Sequence, residues 1–216
     1  MKKIIAINGS PRKDWNTETL LNKALEGAAS QGAQTELVNL YDSDYTGCIS
    51  CFACKKKGGE RGKCAVKDDL SPLLEKLKTA DAIVFGSPIY FMNMTSGMTA
   101  FLERFLFSNM IYSFEIPTVF PKKIPSAVIY TMGMDEKRME DSGIKNSLKF
   151  YEGAIGRALG NQPELLYSCD TYQFTDYSKY ESSMFSEPAK AKHKAEQFPA
   201  DCKKAFDIGA RLAKNA

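Results

Sequence analysis

Four short β-branched apolar runs, Ile4–Ile7, Thr35–Leu40, Ala82–Phe85 and Ala127–Tyr130, recur along the 216 residues. Each is bounded by turn residues, and segments of helical periodicity separate them. Alternation of this kind builds a parallel sheet with crossover helices. Between the first two runs, Leu20, Leu21, Ala24, Leu25 and Ala28 repeat at helical spacing, and Gly32 follows where a left-handed cap is wanted. Met98, Phe101, Leu102 and Phe105 fall at i, i+3, i+4 and i+7, which predicts a second crossover helix, and a third is expected over Gly143–Leu159. A fifth strand is expected at Glu164–Cys169, after the Asn161-Gln162-Pro163 break. Five strands in a chain of this length fit a flavodoxin-like three-layer sandwich, α/β, with a five-stranded parallel sheet in the order 2-1-3-4-5.

The whole chain, 1–216, reads as one such domain with two additions. One is a Cys-rich loop over 47–66. The other is an aromatic-rich C-terminal extension over 170–216, which carries Tyr172, Phe174, Tyr177, Tyr180 and Phe185 before a Lys-rich helix from about Pro188 to Lys214. Those aromatics are expected to dock on the sheet's helices or at a contact between copies, and the expected assembly is a homo-oligomer.

Net charge is +3, from 29 Lys+Arg against 26 Asp+Glu, too small and too evenly spread for nucleic-acid binding. No segment approaches the roughly 18 apolar residues of a membrane span, and Asn8-Gly9-Ser10-Pro11 ends the first apolar run too early for an export signal. A cytoplasmic location is the expectation.

In an open α/β sheet, ligands sit beyond the carboxyl ends of the strands where strand order reverses, here between strands 1 and 3. Strand 1 runs into Asn8-Gly9-Ser10-Pro11-Arg12-Lys13-Asp14-Trp15-Asn16-Thr17. That loop offers a glycine for close approach, hydroxyls from Ser10 and Thr17, the Arg12 guanidinium, and Asn16 as a candidate helix cap, the makings of a phosphate cradle. Neither G-x-G-x-x-G nor G-x-x-x-x-G-K-[ST] is present, so the common dinucleotide and nucleotide-triphosphate motifs are excluded. An ordinary capped turn is the alternative reading. Strand 3 runs into Gly86-Ser87-Pro88-Ile89-Tyr90-Phe91-Met92-Asn93, large apolar groups placed to flank a flat ring, although core packing is open to them too.

Four of the six cysteines, Cys48, Cys51, Cys54 and Cys64, lie within seventeen positions. In a reducing compartment such a cluster points to metal or redox chemistry rather than disulfides. The repeated two-residue spacing resembles the start of a ferredoxin-type site. Structural zinc more typically shows two separated C-x2-C pairs, and free thiols are the third reading. Lys55, Lys56, Lys57, Arg61 and Lys63 surround the loop, a field that favours thiolates. Cys169 and Cys202 stand alone and read as buried small hydrophobes. His193, the one histidine, sits on a Lys-rich helix face, so a Ser-His-Asp hydrolase lacks a base.

Asn8-Gly9-Ser10-Pro11-Arg12 with Asn16-Thr17, the Cys48/Cys51/Cys54 cluster, the Cys64 to Asp68-Asp69 segment and Gly86-Ser87-Pro88-Ile89-Tyr90 together resemble the flavodoxin-like NADPH-dependent FMN reductase superfamily, in the branch that includes the iron–sulfur flavoproteins. The resemblance covers the first half to two-thirds of the chain. It implies an FMN-binding oxidoreductase with NAD(P)H as co-substrate that reduces flavin, quinone or another small acceptor. The alternative it leaves open is an iron–sulfur flavoprotein passing electrons between protein partners. Ser10, Arg12, Asn16 and Thr17 would hold the FMN phosphate, and Pro88, Ile89, Tyr90, Phe91 and Asn93 would line the ring. Thr131, Met132 and Gly133 would approach from the next loop. No side chain need act as acid or base, because the flavin carries the chemistry. By the same resemblance Cys48, Cys51, Cys54 and Cys64 would ligate a [4Fe-4S] cluster, with a longer gap before the fourth cysteine than is usual.

Overall fold

A computed structural model describes all 216 residues. The expected alternation is present: β1 (Lys3–Asn8), α1 (Asn16–Ala29), β2 (Gln34–Asn39), α2 (Leu70–Leu77), β3 (Ala82–Tyr90), β4 (Asn93–Met94), α3 (Ser96–Asn109), β5 (Ser126–Thr131), α4 (Glu136–Asp141), α5 (Ile144–Leu159), β6 (Glu164–Ser168), α6 (Glu187–Glu196) and α7 (Phe198–Asn215). The five long strands pair in parallel in the order β2-β1-β3-β5-β6, which is the predicted 2-1-3-4-5 order of the parallel strands. The short β4 was not foreseen. It folds back antiparallel on the end of β3, pairing Ile89 with Met94 and Tyr90 with Asn93.

Strand alternation divides the core into two. Ile5, Ile7, Ile83, Phe85, Val128 and Tyr130 face α2, α3 and α5, while Ile4, Ala6, Ala82, Val84, Ala127 and Ile129 face α1 and α7. The second core depends on two helix backbones in near contact. A Cβ built on Gly27 would stand 1.9 Å from the Phe206 carbonyl oxygen.

Two expectations need correction. The helix expected over Pro188–Lys214 is two helices, because Pro199 opens α7 and cannot continue the hydrogen bonding of α6. His193 is half-buried, and its Nδ1 is buried with no partner, so it does not sit on a solvated face. Cys169 and Cys202 are half-buried, each packed against one of the two cores. No helix is long and apolar enough to cross a membrane.

Candidate functional site

At the carboxyl ends of β1, β3 and β5 a cleft of about 210 Å3 opens. Ten of the twelve residues expected to hold a flavin line it: Ser10, Arg12, Asn16, Thr17, Pro88, Ile89, Tyr90, Thr131, Met132 and Gly133. Phe91 and Asn93 do not. They stand on the β3–β4 hairpin, whose two-residue turn is Phe91-Met92, with φ of 47° and 66°. Both values lie in the left-handed region, which is costly for residues with a Cβ, and the turn holds the Phe91 side chain fully in solvent.

The polar end of the cleft is built from β1 outward. Asn8 is buried, donates to Glu18 Oε2 (3.0 Å) and Asn39 Oδ1 (2.8 Å), and accepts from the Ser10 N–H (3.0 Å). The loop is thereby folded back on itself with the Ser10 hydroxyl accepting from the Arg12 N–H. Thr17 and Thr131 share a hydrogen bond of 2.8 Å, joining the first loop to the third. Gly9 admits no side chain, since a Cβ there would meet Met98 at 2.7 Å.

Asn16 is not the cap expected of it. Trp15 holds the cap position of α1 without any side-chain hydrogen bond, and Asn16 begins the helix. Its side chain donates instead to the Tyr172 carbonyl (2.8 Å). The first-turn N–H groups of α1 therefore lack a side-chain acceptor and face the cleft residues, an arrangement suited to an anion. Arg12 lies 3.8 Å over the Trp15 ring and donates to the Gln173 carbonyl (2.7 Å).

The aromatic extension thus supplies a wall that sequence reasoning did not assign. Thr171, Tyr172, Gln173 and Phe174 line the cleft, and Gln173 Oε1 is buried without a partner. Within the extension Phe174 stacks on Tyr180 at 4.3 Å and lies edge-on to Tyr177, and the Arg12 and Asn16 side chains hold its Gln173 and Tyr172 carbonyls. Lys190 of α6 anchors it. This lysine is 2% exposed and donates to Gly133 O (2.8 Å), Asp170 Oδ1 (2.6 Å) and Thr171 O (3.4 Å).

The four clustered cysteines meet at a second place. Cys48, Cys51, Cys54 and Cys64 all line one small, mostly apolar cavity, closed by Ile49, Phe52, Val66, Phe107 and Arg104. None is disulfide-bonded, and no three His, Cys, Asp or Glu side chains stand as ligands of a single ion. The donor set is soft and the loop is basic. Burial pushes the Cys54 thiol up, opposed by the neighbouring Lys55 ammonium. Lys55 itself caps the end of α3 through the Phe107 and Met110 carbonyls. The void they share is only about 20 Å3, so the fit lies in the donor set: four thiols beside a buried guanidinium suit an anionic bridged cluster better than a lone ion. A cavity of about 660 Å3, chiefly apolar, adjoins this one at the C-terminal end of α3 through Cys48 and Phe107.

Residues 2–135 match the model of the NADPH-dependent FMN reductase family. An iron–sulfur flavoprotein of Methanocaldococcus jannaschii is 40% identical over 102 residues, 47% of this chain and 51% of that protein. One from Methanosarcina thermophila is 33% identical over 102 residues, with 47% and 51% covered. The chain spans about half the length of these curated relatives. Among solved structures, an NAD(P)H:quinone oxidoreductase from Methanothermobacter marburgensis superposes with a TM-score of 0.71 at 17% identity, covering 98% of both chains. An azoreductase from Bacillus anthracis gives 0.68 at 15% identity, covering 98% of this chain and all of the other. Identities this low speak for the fold alone. By the match over residues 2–135, the chain belongs to the NADPH-dependent FMN reductase family, on the branch its N-terminal half shares with the iron–sulfur flavoproteins.

Proposed function

We propose that this chain is an FMN-dependent oxidoreductase that uses NAD(P)H to reduce a flavin, a quinone or another small acceptor. The observation that carries the reading is the two-ended cleft at the point where strand order reverses. One end offers the uncapped N-terminus of α1, Ser10, Arg12 and Thr17, a set of donors suited to a phosphate. The other offers Pro88, Ile89 and Tyr90, suited to one face of a flat ring.

When bound, FMN supplies hydride acceptance and onward transfer of one or two electrons. The protein's part is binding, orientation and electrostatics. Thr17 and Thr131 hold the first and third loops at a fixed spacing. The Gly133 N–H, at the cleft wall, makes no hydrogen bond to the protein and would be free to face developing negative charge. Tyr90, nearly half exposed at the rim, bounds the face left open to a nicotinamide or acceptor.

Anaerobic titration of the FMN-reconstituted protein with NADPH and with NADH tests this. Bleaching of the flavin absorbance is expected. A protein that does not bind FMN overturns the proposal, and bound FMN that neither nucleotide bleaches removes its nicotinamide half.

A second reading, electron transfer with a protein partner through an iron–sulfur cluster, is favoured by the four thiols around one cavity. Iron, sulfide and zinc analysis of anaerobically purified protein decides between cluster, zinc and free thiols. For assembly, a homo-oligomer is proposed, since Phe91, Tyr112, Phe114 and Phe150 are all four-fifths or more exposed. Sedimentation as a monomer would remove that part.

A further inference from the structure

The wall of the four-thiol cavity includes one charged residue, Arg104 of α3, whose side chain is wholly buried. Its Nη1 donates to Asp68 Oδ2 and to the Thr46 carbonyl (3.2 Å). Its Nη2 donates to Asp68 Oδ1 (3.0 Å) and to the Val66 carbonyl (3.3 Å). Thr46 precedes the first cysteine and Val66 follows the last, so one guanidinium fastens both ends of the thiol loop to α3. The clasp uses both terminal nitrogens and leaves the fifth donor over. Arg104 Nε is buried without a well-formed hydrogen bond, and the Cys64 thiol stands beside the guanidinium.

Buried donors without acceptors are rare in folded proteins, and each calls for an explanation. Here the cavity beside the orphan donor is lined by four soft, anion-forming ligands. We propose that Arg104 Nε–H is a hydrogen-bond donor to a sulfur of the iron–sulfur cluster held by Cys48, Cys51, Cys54 and Cys64, and so a residue that sets the cluster's potential. The inference rests on the reading that those thiols bind a cluster. N–H···S bonds and nearby positive charge favour the more negative, reduced state, which raises the potential. Asp68 moderates the charge without touching the Nε donor.

The test compares anaerobically purified wild type with Arg104→Lys and Asp68→Asn. Iron and sulfide per chain are measured, and the cluster's midpoint potential is read by an EPR-monitored titration. Lysine keeps a charge for Asp68 but has no donor at the Nε position, so Arg104→Lys is expected to lower the potential. Asp68→Asn leaves the guanidinium less compensated and is expected to raise it. Wild type free of iron and sulfide defeats the cluster reading itself. A loaded wild type whose potential is unmoved in Arg104→Lys overturns the role given to Nε. Should Arg104→Lys not fold, pulsed EPR of the reduced cluster in 15N-arginine-labelled Arg61→Lys protein decides: a coupling to arginine nitrogen is expected, and its absence overturns the proposal.

Discussion

Gly209 of α7 rests on Ala24 of α1 so closely that a Cβ added to it would stand 1.7 Å from the Ala24 carbonyl oxygen. Backbone cannot yield as a side chain does. Gly209→Ala is expected to cost about 3 kcal/mol or more, at the upper end for overpacking, by forcing the two helices apart. In a chain of this length that corresponds to a fall in Tm of roughly 6–12 °C by calorimetry.

Lys190 ties α6 to the loops after β5 and β6 with its ammonium buried. Lys190→Met leaves the Gly133 carbonyl without its donor and Asp170 without its counter-ion. A loss of about 2–3 kcal/mol is expected in denaturant unfolding. Faster hydrogen exchange over 170–174 should accompany it.

Burial by itself would raise the Asp68 carboxyl, but the hydrogen bonds and charge of Arg104 outweigh it and hold the group below its usual range. A carboxyl depressed in the folded state stabilises the protein above the ordinary carboxylate range, and that contribution is lost as pH falls through the folded value. Asp68→Asn should therefore be less stable than wild type at neutral pH by about 2 kcal/mol. The two should begin to converge below about pH 4 and meet only below the depressed folded value, as acid removes the carboxylate's advantage from the wild type alone.

Phe91 and Met92 both occupy left-handed backbone. Met92→Gly relieves one of these and is expected to add about 1 kcal/mol of stability. Steady-state kinetics on the same variant should show a changed acceptor KM, because the hairpin borders the cleft's apolar end. A variant that gains stability with kinetics unmoved would show that the strained turn serves only the fold.

Burial, with the carboxylates of Glu136 and Asp201 nearby, pushes the Cys169 thiol up to about 11. It is a neutral thiol at physiological pH. Alkylation of Cys169 by iodoacetamide, followed by mass spectrometry, should be slow at pH 8 and accelerate about tenfold per pH unit up to the thiol's own value.

The sheet was legible because each strand is a short apolar run between strong turn residues, and its buried interior leaves little freedom for another pattern. β4 was not, since a two-residue strand has no periodicity to read. The break between α6 and α7 was visible at Phe198-Pro199, but the Lys-rich composition on both sides masks it. Asn16 shows the limit of local rules. Its type and position suit a cap, yet a carbonyl 156 residues away in sequence claims its amide. The same non-locality hid Gln173 and Lys190, whose places at the cleft arise only when the extension folds back. Arg104 was hidden likewise, beside Glu103 in an otherwise uncharged helix, until the cysteine loop closed over it.

The extension's grip on the loop after β1 couples two distant parts of the chain. Arg12 and Asn16 are bound to the carbonyls of Gln173 and Tyr172. An anion that recruits those two side chains takes them from the tail, so filling the cleft and releasing residues 172–173 become linked equilibria. Linkage is reciprocal: for such an anion, whatever loosens the extension would strengthen binding by the same factor, across some 160 positions of sequence.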